Sequence, residues 1–136
     1  AWAAPSGGPS QANQAAIEAE TNQDTYIPPD LIKHSPGVAK FWAEYETSGT
    51  HSMQVNYNMT SVTDGGALGD SDFVIANDMD SANYAIVAGG NTGAPSMPYE
   101  NLAGRAAGVF QMIVRDAGNN SVDATGLKVV GFGTLA

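Results

Sequence analysis

His34-Ser35-Pro36-Gly37-Val38-Ala39-Lys40-Phe41-Trp42-Ala43-Glu44-Tyr45 is the stretch on which the fold turns. From Val38 onward the apolar period is two. Ala39, Phe41, Ala43 and Tyr45 alternate with Lys40, Trp42, Glu44 and Glu46, the pattern of a strand with one polar face. Ser48-Gly49 then marks a hairpin, and His51 to Asn58 alternates again, with Met53, Val55 and Tyr57 against Gln54, Asn56 and Asn58. This register predicts that Phe41 and Tyr45 turn inward with Val55 and Tyr57, while Glu44 and Glu46 face water. Trp42 falls on the polar side, so it is expected under the leader or a neighbouring subunit.

Downstream, Ser61-Val62 extends the second strand before an Asp64-Gly65-Gly66 turn. Asp72–Ala76, Tyr84–Ala88, Val109–Val114 and Leu127–Phe132 read as further strands, separated by Gly, Asn and Asp turns. Residues 91–106 carry Pro95, Pro98 and Gly104 and read as a long loop. Six short strands at regular spacing predict an all-β, antiparallel, jelly-roll-like β-sandwich over residues 34–136.

Upstream, residues 1–9 read as a linker, and Ser10 as the N-cap of a helix from Gln11 to Glu20 that ends at Asn22-Gln23-Asp24. Tyr26-Ile27-Pro28-Pro29 forces an extended path, and Asp30–Lys33 fits one more helical turn. A ten-residue helix with a narrow, mostly alanine face is marginal alone, so residues 1–33 are expected to be an attachment leader that docks on something, its own copies included. The start at Ala1, without Met or a basic segment, reads as a fragment or processed form.

Only 14% of residues are charged, against roughly 25% in an ordinary soluble domain. The formal net charge is −9, with Lys33, Lys40, Arg105, Arg115 and Lys128 as the cations. Such a surface repels phosphate backbones, so no nucleic-acid partner is expected. Cysteine is absent, which excludes disulfides and thiol chemistry. No apolar run reaches the roughly 20 residues of a membrane helix, so no membrane insertion is expected.

Catalytic chemistry finds few carriers. His34 and His51 are the available imidazole bases, and no Gly-x-Ser-x-Gly elbow is present. His34, just before Ser35-Pro36, reads as a ring that packs or hydrogen-bonds at the start of the module. Asp64, Asp70, Asp72, Asp78 and Asp80 could be calcium ligands or solubilising turn residues. Asp70-Ser71-Asp72 lacks the Gly and the closing Glu of an EF-hand, which favours the turn reading. No catalytic residue, metal or cofactor is therefore expected. Among the aromatic residues, Trp42, Tyr45, Tyr57 and Tyr84 fall in strands, where packing explains them, whereas Tyr99 falls in the long loop.

Several motifs, in order, resemble bacteriophage tail-fibre and virion fibre proteins. The segment from Gln11 to Thr21, followed by Tyr26-Ile27-Pro28-Pro29, is similar to the linker ahead of a terminal fibre module. His34 through Trp42 is similar to the stretch that leads into that module. Asn58 to Asp64, Met79-Asp80-Ser81-Ala82-Asn83-Tyr84, Val122-Asp123 and Val129 to Gly133 follow in the family's order. The resemblance implies a trimeric virion protein on the exterior of tail or capsid, whose leader contacts other virion proteins. It carries over no catalytic residue.

The expected function is thus a non-enzymatic tail-fibre module that attaches to a host-surface glycan or protein. A head fibre or capsid-decoration protein is the first alternative. A small carbohydrate-binding module or glycan-active enzyme is the second. Receptor contact is assigned to Asn91, Thr92, Ser96, Tyr99, Glu100 and Asn101 in the long loop, with Asn119 and Asn120 in the Asp116–Asn120 turn as a second contributor.

Overall fold

The computed structural model describes residues 9–21, 25–90 and 96–136. The chain forms two compact units, Ala1–Val38 and Ala39–Ala136. In the first, β1 (Ser10–Gln11) pairs in parallel with β2 (Thr25–Tyr26), and α1 spans Gln14–Ala19. The helix starts later than the sequence predicts. Ser10 is used in the bridge, and Asn13 is the cap, its Oδ1 accepting from the Ala16 amide at 2.9 Å. Glu20 closes the helix in a left-handed conformation. The expected helical turn appears as a 3-10 helix at Ile32–His34. The expected helix end at Asn22-Gln23-Asp24 lies outside the described residues. His34 is buried here, its Nδ1 3.7 Å from Glu18 Oε1, so its ring packs as expected, although in the leader unit.

The second unit is a sandwich of two antiparallel four-stranded sheets. Its strands are β3 (Phe41–Glu46), β4 (Ser52–Tyr57), β5 (Met59–Asp64), β6 (Asp70–Ile75), β7 (Ala85–Gly89), β8 (Ser96–Ala106), β9 (Val109–Asp116) and β10 (Leu127–Phe132). The first sheet has the order β4-β3-β10-β7 and the second β5-β6-β9-β8. Successive strands β3/β4, β5/β6 and β8/β9 pair within one sheet, and the other connections cross between sheets.

Inward residues alternate as a sandwich requires. Phe41, Ala43 and Tyr45 face Phe73, Ile75, Phe110, Met112 and Val114 across the core. An aromatic chain joins the two sheets. Phe41 stacks on Phe110 at 5.1 Å, Phe110 on Phe73 at 4.7 Å, and Tyr45 meets Phe73 edge-on at 4.9 Å. These offset and T-shaped contacts each add roughly 0.5–1.5 kcal/mol beyond area burial. Gly131, on β10 beside Phe41, makes room for that ring, since a Cβ there would collide with it. Burial pushes the Tyr45 hydroxyl well above the usual tyrosine range.

Two expectations need correction. Val55 and Tyr57 face outward at 52% and 47% exposure. A register shift at Glu44/Tyr45 pairs them with Glu44 and Trp42, so they follow those partners to the outer face. Trp42 shares that outer face, 41% exposed in the single chain and beside Tyr57 with rings 19° from parallel. The predicted loop at 91–106 contains an eleven-residue strand, β8. Pro98 is tolerated because β8 lies at the sheet edge, and Gly104 falls in a wide bulge between Asn101 and Ala106.

Candidate functional site at the outer end of the β8–β9 ribbon

β8 and β9 form a long ribbon whose register brings the two segments singled out by sequence to one place. Ser96 pairs with Asp116, Met97 with Arg115 and Tyr99 with Ile113. The period of two sends Met97, Tyr99 and Asn101 to the outer face, and turns Ser96 inward, where it is buried. The Asp116–Asn120 turn then folds back beside Tyr99. A groove of about 280 Å³ results, lined by Met97, Tyr99, Asp116, Ala117 and Asn119.

The turn is held by one carboxylate. Asp116 Oδ1 accepts from the Gly118 amide at 2.8 Å, the Asn120 amide at 2.9 Å and Asn120 Nδ2 at 3.2 Å. The Asn120 amide and side chain, with the Gly118 amide, hold the Asp116 carboxyl below its ordinary range. Asn119 sits at φ 65°, a left-handed position that Asn tolerates, and its carbonyl accepts from Arg115 Nη1 at 3.0 Å. Asn119 lines the groove, whereas Asn120 is consumed in bracing the turn.

The other expected contact residues divide. Tyr99 is 49% exposed, and among the described residues its hydroxyl reaches only Met97 Sδ, at 3.9 Å, so its ring and hydroxyl are both open to a ligand. Asn101 donates to Gln111 Oε1, and Gln111 Nε2 donates to Asp72 Oδ1 at 2.9 Å. This polar ladder ties three strands together and occupies the Asn101 side chain. Glu100 turns inward and stands 2.6 Å from Arg105 Nε, as a close ionic contact rather than an aligned hydrogen bond. Burial raises the Glu100 carboxyl, and Arg105 partly offsets that. Arg105 also lies over the Tyr84 ring at 4.3 Å and donates to the Tyr84 carbonyl, so this cluster anchors the β8 bulge. Asn91 and Thr92 lie outside the described residues.

Sequence reasoning missed Met97 and Asp116 as groove residues. The alternation of Met97, Tyr99 and Asn101 was the available signal, and Pro95, Pro98 and Gly104 masked it. It also missed that Ser71 Oγ and His51 Nδ1 stand 3.1 Å apart. Ser71 is fully buried, so the pair pins the start of β4 to β6 and presents no nucleophile. Three of the five acidic residues at positions 64–80 are engaged in turns and ladders. Asp64 Oδ1 accepts from the Gly66 amide, Asp72 from Gln111 and Asp80 from Ser81. Among the described residues no group of three His, Cys, Asp or Glu side chains could hold a metal ion, and no helix is long and apolar enough to cross a membrane. Comparison with protein-family models, with curated proteins and with solved structures finds no match for this chain.

Proposed function

We infer that this chain is a bacteriophage virion structural protein, a tail-fibre module that attaches to the host surface without chemistry of its own. The observation that carries the reading is the meeting of Tyr99 and Asn119 at the ribbon groove, with Met97 beside them. An exposed aromatic ring next to a neutral amide offers a stacking face and hydrogen-bonding groups, which suits a glycan or a polar protein surface. These groups sit on an edge strand and a turn, where they can change without disturbing the aromatic core.

The first unit supports the attachment half of the reading. Its described apolar burial is confined to Ala12, Ile17 and Pro28, too little to stabilise a six-residue helix by itself. A groove of about 270 Å³, lined by Ile17 and Ile27 together with the polar Glu20, Thr25 and Ser35, offers a neighbour both apolar and polar contacts. In this reading the leader holds three copies together and docks them on other virion proteins. Immunogold labelling of intact particles tests the placement. Gold on the tail fibres is expected, and gold confined to the head or collar, or none on particles, contradicts it.

A further inference from the structure

The outer face of the first sheet carries an apolar row across all four strands. Tyr57, Trp42, Val130 and Val87 are consecutive cross-strand partners and form one continuous row. The adjacent row runs Val55, Glu44, Lys128 and Gly89. Because Gly89 has no side chain, a shallow groove of about 450 Å³ opens along this face. Val55, Tyr57 and Val87 are 52%, 47% and 58% exposed. The opposite face of the same sheet is the core. A sheet apolar on both faces is normally covered on both.

The charges say what covers it. Elsewhere the chain carries a large negative excess that keeps copies apart, its net charge being −9. The two charges lining the groove, Glu44 and Lys128, cancel. They are direct cross-strand neighbours, yet among the described residues they form no ion pair with each other. Among the described residues, Lys128 Nζ is held by the Gly126 carbonyl at 3.1 Å. Glu46, at the margin, is already engaged by Ser52 and Gln54. A face with one acid and one base side by side is complementary to a copy of itself. It offers few polar groups to a sugar, and no net charge to select a foreign acidic or basic partner. We propose that copies of this chain associate through the outer face of the first sheet, with Glu44 of each copy paired to Lys128 of the next.

Four strands about 4.8 Å apart and six residues at about 3.4 Å give a flat area of roughly 400 Å² per copy. That is about half of what a standard interface buries per partner, so the contact is weak alone and strengthened by whatever the leader adds. The surface does not depend on the chain being a phage protein.

Sedimentation equilibrium of the full chain over roughly 10 μM to 1 mM tests it. Wild type should associate. Glu44→Lys and Lys128→Glu each place two like charges on every face, and each should weaken association about tenfold or more. An equimolar mixture of the two should recover wild-type association, because a doubly positive face then meets a doubly negative one. Val87→Arg should melt like wild type and also associate at least about tenfold more weakly, with an unpaired cation in the contact. The proposal is overturned by a wild type that stays monomeric throughout, as a foreign occupant would require. Variants that associate like wild type, as assembly through the leader alone would give, or a mixture no stronger than its components, overturn it equally.

Discussion

Asn58 is the whole connection between β4 and β5, and replacing it tests how the two sheets are joined. The residue sits at φ 55°, between Tyr57 in the first sheet and Met59 in the second. Its Nδ2 donates to the Lys40 carbonyl at 2.9 Å and the Asn77 carbonyl at 3.1 Å. Its Oδ1 accepts from the Asn77 amide at 2.8 Å and from Asn77 Nδ2 at 2.7 Å. Asn58→Ala removes three side-chain bonds to backbone, each worth about 0.5–1.5 kcal/mol net, and forces an L side chain without local hydrogen bonds into the left-handed region at about 1–2 kcal/mol. The expected loss is roughly 3–5 kcal/mol, or at least about 12 °C in Tm for a unit of this size. Asn58→Gly loses the same bonds without the strain and should be about 1 kcal/mol more stable than the alanine variant. Urea melts followed by near-UV circular dichroism read both. An alanine variant within about 1 kcal/mol of wild type, or a glycine variant no better than alanine, refutes the assignment of Asn58 as the joint.

Three further outcomes follow from the packing and the turn. Gly131→Ala should cost roughly 2–3 kcal/mol, because Phe41 is held between Tyr84 and Phe110 and cannot yield; in a Phe41→Leu background the same change should cost clearly less, which a double-mutant cycle on Tm measures. Trp42→Ala should cost less than about 1 kcal/mol in dilute monomer, far below the roughly 3–5 kcal/mol of a buried tryptophan, because the ring is 41% exposed. Asp116 has a lowered folded-state pKa, so its contribution to the turn is present above the ordinary value of 3.8 and is lost as pH falls through the lower folded value. Protection of the Gly118 and Asn120 amides, taken relative to the intrinsic exchange rate at each pH, should therefore fall on acidification in wild type, and already be reduced at neutral pH in Asp116→Ala.

Much of the sandwich was legible because its core strands obey one period. Phe41/Ala43/Tyr45, Phe110/Met112/Val114 and Leu127/Val129 alternate cleanly, and all are buried. The two strands that escaped, β5 and β8, are sheet edges. Met59–Asp64 is mostly Thr, Ser and Asp, and one residue, Asn58, separates it from β4, so it read as an extension of that strand. β8 carries a proline that only an edge tolerates. The inward placement of Val55 and Tyr57 failed at a bulge, because a one-residue slip moves every later side chain to the other face. The site was legible as two segments but not as a groove. Tyr99 meets Asn119 only because the β8–β9 register sets Ser96 opposite Asp116, and pairing between distant residues leaves no local signature.

Adsorption of particles to host cells reads whether Tyr99 and Asn119 make the attachment contact. In particles carrying it, Tyr99→Ser with Asn119→Gly removes the exposed ring and the Asn119 side chain, while glycine keeps the left-handed backbone of the turn and the core and the Asp116 bracing stay intact. Such particles should assemble with normal fibre content and adsorb at least about tenfold more slowly, in line with the loss of an aromatic hot spot. Adsorption at the wild-type rate by such particles would contradict that contact.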